Sequence, residues 1–368
     1  MATNTRAVTT TVSNAAATAV VDISRVIALI SDVSTVTAVY SLYTDATSIE
    51  TAGYATSSDF YKMGVLYFNN GGDYLYGVPL ADTAGNAAIT AKLATLENIS
   101  DITFSFGGVV MDSTISVADE VGDDTLATYA LNKPYHIMID SADATIPTAG
   151  TTDVFSLIGA FYAGLTGANA LAVPNISGFY TGTDAADDFL SCSAMGIMVG
   201  KIIGSQTLKF KKPLGNNTCK GSATTGELTN AELTLILGKN VNVFTGVNER
   251  AGKAFIKEGT ALKDSSYIDT SFGAIWIKEN VDENIYNLLL ENGKVSINTI
   301  GYAQIESKVT PIFDLGATNG IINSDADTPF TISFTGNVGT RTIAVTYTYV
   351  EDVAGHFVTN TITITQES

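Results

Sequence analysis

The sequence predicts a mixed α/β protein, with α/β layers in its body and a C-terminal domain that contains a helix and a terminal β-hairpin. Strands and helices alternate through the first two thirds of the chain, which is typical of an α/β layer. The last third contains an amphipathic helix followed by runs of alternating apolar residues and threonines. With 368 residues, the chain has room for two or three domains whose cores need no disulfide.

The clearest unit of the body is Phe60–Leu80. Apolar residues recur at helical spacing up to Tyr67, and at strand spacing over Tyr74–Val78. Between them lies Asn69–Gly72, whose paired glycines permit positive φ and a sharp turn. We therefore predict a helix that leads through a tight turn into an edge-like strand.

The other body elements follow from the same periodicities. An aspartate at position 187 or 188 is suited to be an N-cap. The predicted elements are strands at Asp22–Ile30 and Val36–Tyr43, a helix at Asn86–Leu96, strands at Ile102–Phe106 and His136–Asp140, a helix at Asp153–Leu165, a strand at Ala170–Val173, and a helix from Asp187 or Asp188 to Ile203.

The C-terminal elements are a helix and a hairpin. Asp282 is suited to be the N-cap and Gly293 the C′ residue, so we predict a helix over Asp282–Asn292. After a strand at Thr331–Thr335, the hairpin is predicted from Arg341–Val350 and Phe357–Thr365, joined by a turn at Glu351–Gly355. The apolar residues of its first strand face one way.

Both ends of the chain carry threonine-rich strands that lack charged residues to discourage edge pairing. Such a strand is an aggregation hazard unless it pairs with another chain. We expect strand exchange between subunits, a heterologous contact that generates rings or helical filaments. The alternative is a disordered arm and an ordinary hairpin. The residues expected to exchange are Val8, Thr9, Thr10, Thr11, Val12, Val358, Thr359, Ile362, Thr363 and Ile364.

The surface carries few charges. The chain is 45% hydrophobic, and only 15% of its residues are charged, against roughly 25% in soluble domains. The apolar run Met195–Gly204 is too short to span a membrane, and the first twenty residues do not resemble a signal peptide. Burial against other protein subunits is the expectation that remains.

The net charge of −18 disfavours nucleic-acid binding, because phosphate contacts need a basic face. One basic concentration occurs within twenty residues. We read it as a contact with an acidic partner, such as the acidic first half of another copy, or as a solvated loop. Its members are Lys201, Lys209, Lys211, Lys212 and Lys220.

The chemistry-bearing residues indicate no active site. Cys192 and Cys219 are expected to be free thiols in a reducing cytoplasm, and the two histidines are isolated from metal-ligating residues. The run from Asn323 to Asp327 copies the start of a calcium loop, but Phe334 stands where a bidentate glutamate is required. We expect no enzyme activity, no cofactor and no metal.

The Phe60–Leu80 unit resembles an early landmark of contractile tail sheath proteins, which form the contracting sleeve of phage tails and related injection machines. Further segments are similar to that family in the same order, from about residue 20 to the end. The family's arginine pair is absent, since Thr270, Ser271 and Phe272 stand there, which is typical of a short, divergent member. The similar segments are Ala168–Pro174, Lys209–Leu214, Leu228–Val243 and Tyr267–Lys294.

The resemblance implies a homo-oligomer, a helical stack of rings that are expected to be hexameric, around a tail tube protein, with baseplate and tail terminator proteins as further partners. It also implies assembly in the host cytoplasm and localisation in the virion. We expect an arm at 1–20, an α/β domain at 21–185, a connecting part at 186–260 and a C-terminal sheath domain at 261–368. The alternative is another virion or surface assembly protein: a tail tube, capsid or adhesin subunit.

Overall fold

An eight-stranded sheet forms the centre of the body. The computed structural model describes residues 25–30, 40–80, 86–97, 107–111, 125–131, 133–166, 175–182, 188–219, 226–249, 253–263, 266–339 and 341–352. The strands of the sheet are β1 (Arg25–Ile30), β2 (Ser41–Tyr43), β3 (Tyr74–Pro79), β4 (Gly108–Met111), β5 (His136–Ser141), β6 (Ile176–Tyr180), β7 (Asn242–Thr245) and β8 (Phe255–Ile256).

The strand order is β2-β3-β1-β4-β5-β6-β7-β8, and all neighbours are parallel except β2–β3 and β7–β8 at the two ends. The prediction that β3 is edge-like is wrong. β3 pairs with β1 on one side, while β2 covers its other side, with Ser41 opposite Gly77. β2 lies at the end of the strand predicted at Val36–Tyr43, but local patterns do not indicate that it pairs with β3.

Helices cover both faces of the sheet, as expected of an α/β layer. Alternate residues of each strand enter one of two apolar clusters: Val26 and Ala28 enter one, and Ile27 and Leu29 the other. The first cluster includes α2 (Asp59–Asn69) and α6 (Leu190–Val199). The second includes α3 (Asn86–Glu97), α4 (Thr125–Ala130), α5 (Val154–Gly164) and α7 (Asn230–Gly238), and a short α1 (Ala46–Thr51) follows β2.

Most predicted body elements are confirmed. The α2–turn–β3 unit forms as expected, with Gly71 at φ 105°, and α3, β5 and α5 lie where the periodicity placed them. The segment Leu228–Val243, predicted only by resemblance, contains α7 and the start of β7. Asp153 is the N-cap of α5 and accepts a hydrogen bond from the N–H of Ser156 at 3.0 Å. The strands predicted at 102–106 and 170–173 lie outside the described residues; β4 and β6 follow those segments directly.

Helix α6 begins differently from the prediction. Its N-cap is Phe189, which makes no side-chain capping bond, so the aspartate cap is wrong. The Asp188 carboxylate instead accepts hydrogen bonds from Asn216 and from the N–H of Asn217. The first turn of α6 is satisfied from the sheet, because Asp140 at the end of β5 accepts the N–H of Ser191 at 2.9 Å.

Two long helices begin the C-terminal part of the chain: α8 (Ile268–Asn292) and α9 (Thr299–Thr318). Gly293 caps α8 in the left-handed conformation, as predicted, but the predicted start of this helix is wrong. Asp282 lies inside α8 and pairs with Lys278 at 2.9 Å. The true start at Tyr267 has no side-chain cap, so no local signal marks it.

Helix α9 was not predicted, although Asn298 caps it by accepting the N–H groups of Ile300 and Gly301, each at 3.1 Å. After it, β9 (Phe330–Asn337) and β10 (Thr342–Tyr349) form an antiparallel hairpin. β10 was predicted to pair with Phe357–Thr365, which lies outside the described residues; its described partner is β9. Of the turn predicted at Glu351–Gly355, residues 353–355 lie outside the described residues, while Glu351 bridges to Ile322.

Candidate assembly surface

The β9–β10 hairpin presents two chemically different faces. Phe313 of α9 stacks on Phe330 at a ring distance of 4.9 Å and meets Tyr347 edge-on at 5.3 Å. The half-buried residues of β10 face the helices together, as the sequence predicted: Ile343, Val345, Tyr347 and Tyr349. The opposite face is exposed and consists mainly of hydroxyl residues; Thr331 and Thr348 join their side chains across it at 2.7 Å. The hairpin is therefore held to the body by one face only.

The outer edge of β10 is open to another strand as far as the structure describes the chain, because β10 pairs only with β9 there. The backbone of a sheet edge presents N–H and C=O groups in register for a further strand. This edge has no charged side chain between Thr342 and Tyr349 that would discourage pairing. The hairpin thus offers a platform for β-augmentation.

Backbone hydrogen bonds hold the residues that directly follow β10. The N–H of Asn323 donates to the carbonyl of Val350 at 2.8 Å, and the N–H of Asp352 donates to the carbonyl of Ile321 at 3.0 Å. Burial, with the nearby negative charge of Asp269, raises the pKa of the Glu351 carboxyl. These bonds hold residues 350–352 beside Ile321 and Asn323.

A buried polar contact ties helix α8 to the sheet. The His136 ring in β5 lies 2.9 Å through Nδ1 from the Ser271 Oγ in α8, and 2.7 Å through Nε2 from the Ser177 Oγ in β6. Phe272 packs against the same ring at 5.4 Å. Burial lowers the pKa of His136 to about 3, so the imidazole is neutral at physiological pH. The C-terminal helices and the sheet are therefore joined in one packed unit.

The predicted strand-exchange residues at 8–12 and 358–364 lie outside the described residues. Of the lysines predicted to meet an acidic partner, Lys201 and Lys212 are exposed and Lys211 is half-buried, whereas Lys220 is also outside the described residues. Lys209 is buried and pairs with Glu258 at 2.8 Å. Four of the five lysines lie in the described segment 201–212. Of these four, Lys209 points into the chain and not towards a neighbour.

Chemistry-bearing groups in the described residues are engaged in structural contacts. Cys192 and Cys219 are buried free thiols, as predicted. The described residues contain no cluster of three histidines, cysteines or carboxylates that could hold a metal ion, and Asn323 accepts the N–H of Asp325 at 2.9 Å in the calcium-like run. In the part of the chain that the structure describes, every helix falls short of the length and apolar character needed to cross a bilayer.

Comparison with solved structures shows the same fold in sheath proteins. The anti-feeding prophage helical sheath in its contracted state has a TM-score of 0.61 and 13% identity, over 95% of this chain and 94% of that chain. The contracted PVC sheath complex of an extracellular contractile injection system has a TM-score of 0.60 and 12% sequence identity, over 98% of this chain and 98% of that chain. The sheath tail protein Lin1278 from Listeria innocua has a TM-score of 0.60 and 10% sequence identity, over 90% of this chain and 92% of that chain.

Sequence comparison adds a family. Residues 268–329, which contain α8 and α9, match the model of the C-terminal domain of the E217 tail sheath protein gp31-like family. The chain is therefore similar to tail sheath proteins in sequence over α8 and α9, and in fold over nearly its whole length. The resemblance found in the sequence is thereby confirmed. No curated protein matches its sequence significantly.

Sequence reasoning missed several residues that shape this surface. Asn298 was readable as an N-cap followed by apolar residues at helical spacing, including Ile305 and Val309, which would have revealed α9. Asn70, by contrast, stands in the conspicuous turn, yet its partner Leu214 is 144 positions away, and no local pattern indicates such a contact. The sequence likewise shows Asp140 only as the end of a strand. Its hydrogen bond with Ser191 of α6 is evident only in the structure.

Proposed function

We propose that the chain is a contractile tail sheath subunit, that it polymerises as stacked rings around a tail tube, and that contraction of this lattice drives the tube through the host envelope. The observation that carries the proposal is the β9–β10 hairpin. It is packed against α9 on one face, and the part of the chain that the structure describes contains no further strand on the outer edge of β10. Its exposed face bears no charge that would oppose close association.

Strand exchange links the subunits in this proposal. The N-terminal strand at Val8–Val12 of one copy and the C-terminal strand at Val358–Ile364 of another add to the hairpin sheet of a third. Both segments have the β-branched composition of strands. Because different surfaces of each copy take part, the contact is heterologous and continues into rings or a helix.

Contraction then follows as a collective movement of rigid bodies. The contact of His136 with Ser271, together with the apolar cluster shared by α6, α8 and α9, holds each body together. The exchanged strands keep neighbours attached while the bodies rotate between two lattices. The free energy of contraction is the difference between the inter-subunit contacts of the two lattices.

The partners follow from this arrangement. A tail tube protein fills the lumen, baseplate and tail terminator proteins close the two ends, and the rings are hexameric. The assembled sheath is part of the virion and forms in the host cytoplasm. Lys201, Lys211 and Lys212 serve as a contact with an acidic surface of a neighbour, whereas Lys209 is already paired within the chain.

The direct test is negative-stain electron microscopy of the purified full-length protein, with sedimentation as the quantitative readout. We expect long hollow tubes, and pelleting above a critical concentration. Particles that stay monomeric at high concentration, both alone and with a co-expressed tube protein, would refute the proposed function.

A further inference from the structure

Two groups of exposed apolar side chains lie on the described surface, one among basic residues and the other among acidic residues. The first belongs to the segment 200–215, here called the lysine loop, where Ile202, Phe210 and Leu214 are 64%, 55% and 56% exposed. The second, here called the α8 stripe, consists of Tyr286, Leu289 and Leu290. Large apolar side chains that cluster on a surface mark interaction sites more often than isolated ones do.

The charges around the two patches are complementary. The lysine loop contains four lysines and no acidic residue, whereas α8 contains five acidic residues and one lysine. Beside the α8 stripe, the side chains of Asp282 and Glu291 are exposed. A positive surface that meets a negative one gives an interface both attraction and register.

The lysine loop is held in a fixed shape. The side chain of Asn70 makes two hydrogen bonds to the backbone of Leu214, and the N–H of Phe210 donates to the carbonyl of Ile256 at 3.0 Å. Phe210 has a left-handed backbone, with φ 66°, and its exposed ring rests edge-on against Phe255 at 5.0 Å. A large side chain in this conformation is strained, and such strain is common at functional surfaces.

The two patches lie at opposite ends of helix α8. Lys209 and Lys211 line one cavity with Asp269 and Gly273, at the first turns of this helix. Tyr286 is seventeen positions further along α8, which at 1.5 Å per residue is about 25 Å away. The patches therefore cannot meet within one molecule, but a second copy can bring them together.

We infer that the lysine loop of one sheath subunit docks on the α8 stripe of a second copy. This inference rests on the proposed function and deepens it, since it names an acidic surface of the neighbour that the lysines contact. Because the two surfaces differ, the contact runs head to tail and extends along a ring or helix. It is independent of the exchanged strands and acts between the folded bodies.

Charge reversal tests the pairing in the full-length protein. The double substitution Lys201→Glu and Lys212→Glu reverses two charges of the lysine loop. The double substitution Asp282→Lys and Glu291→Lys reverses two charges beside the α8 stripe. Each pair alone should raise the critical concentration for pelleting at least tenfold, because like charges then face each other. The two reversals combined should restore assembly. Lys92→Glu on α3 and Glu50→Lys on α1 are the controls, which should assemble as wild type.

A second variant separates docking from folding. Phe210→Asn places a residue that tolerates the left-handed conformation at a strained position. It should fold with an unchanged or raised melting temperature and yet pellet poorly, because the loop loses its exposed ring. Normal pelleting of this variant would count against the docking of the ring.

The outcomes distinguish the two ideas. If wild type does not assemble, the proposed function fails, and this inference fails with it. If wild type assembles and either reversed protein does too, the docking is wrong while the proposed function stands. If both reversed proteins fail and their combination also fails, the two surfaces do not pair with each other; a tube protein that binds wild type but not the reversed helix would then be the occupant of the α8 stripe.

Discussion

Asn70 and Leu214 are joined by two hydrogen bonds across 144 positions of sequence. The Asn70 Nδ2 donates to the Leu214 carbonyl at 3.0 Å, and the Leu214 N–H donates to the Asn70 Oδ1 at 2.8 Å. The same Nδ2 donates to the carbonyl of Leu66 at 2.7 Å. The turn between α2 and β3 thus fixes the position of the lysine loop.

Replacing Asn70 with alanine removes these three bonds and leaves the backbone groups of Leu214 without this partner. We expect a loss of about 1.5 to 3 kcal/mol in the free energy of unfolding, since each of the three hydrogen bonds contributes about 0.5 to 1 kcal/mol net. Urea unfolding monitored by circular dichroism gives the value. Asn69→Ala is the matched control, because Asn69 is exposed, and its effect should stay within about 0.5 kcal/mol. Equal effects of the two substitutions would show that Asn70 does not act through these bonds.

Gly200→Ala tests the close approach of α6 to the turn. A Cβ at this position would lie 2.2 Å from the Gly71 carbonyl oxygen, a backbone atom that cannot rotate away. We expect a loss of about 1 to 3 kcal/mol, the usual range for overpacking. Thermal and urea unfolding measure it.

Gly238→Ala in α7 is the control for that substitution, since nothing lies within 4 Å of its added Cβ. This variant should be neutral or more stable than wild type, because alanine lowers the entropy of the unfolded chain. A Gly200→Ala protein as stable as Gly238→Ala would contradict the predicted clash.

His136 makes the stability of the fold depend on pH. Its pKa is about 3 in the folded chain and about 6.5 when unfolded, so the unfolded state binds the extra proton between these values. The contribution of the neutral ring is complete above pH 6.5 and is lost as the pH falls towards 3. At pH 5 the loss is about 2 kcal/mol.

The comparison of wild type with His136→Gln isolates this effect. Burial raises the pKa of Asp140 to about 8, which makes stability fall as pH rises and so opposes the histidine in the same window. The difference between the two proteins removes that shared contribution. Urea unfolding at pH 7 and pH 5 should show a smaller acid loss for His136→Gln by about 2 kcal/mol. A difference that does not change with pH would refute the assignment.

The terminal strands should serve assembly and not folding. Deletion of residues 1–18, or of 357–368, should leave a folded monomer that does not polymerise, because the hairpin edge then lacks its added strands. Circular dichroism tests folding, and electron microscopy tests tube formation. Normal tubes from both truncated proteins would refute strand exchange.

A full-length variant complements the deletions. Ile362→Lys with Ile364→Lys places charges in the final strand, which discourages edge pairing. It should abolish tubes as the deletion does. Tubes of wild-type stability would show that the final strand does not pair at an edge.

Local patterns determined much of the architecture, because periodicity reports which face of an element is buried. The α2–turn–β3 unit, α3, β5, α5 and the alternation along β10 were all readable from the spacing of apolar residues. The family resemblance was readable for the same reason, since it follows the order of these elements. The absence of any catalytic motif was equally a property of the sequence.

Only the tertiary structure decided what depends on distant partners. It showed that β3 is covered by β2, that α8 begins at Ile268 without a local cap, and that Asp140 and not Asp188 satisfies the first turn of α6. It also showed that Asn70 binds Leu214 and that Lys209 points inward to Glu258, while Lys201, Lys211 and Lys212 lie nearer the surface. Sequence periodicity encodes a preference for burial, whereas hydrogen bonds and ion pairs between segments far apart in the chain depend on three-dimensional positions that no local pattern contains.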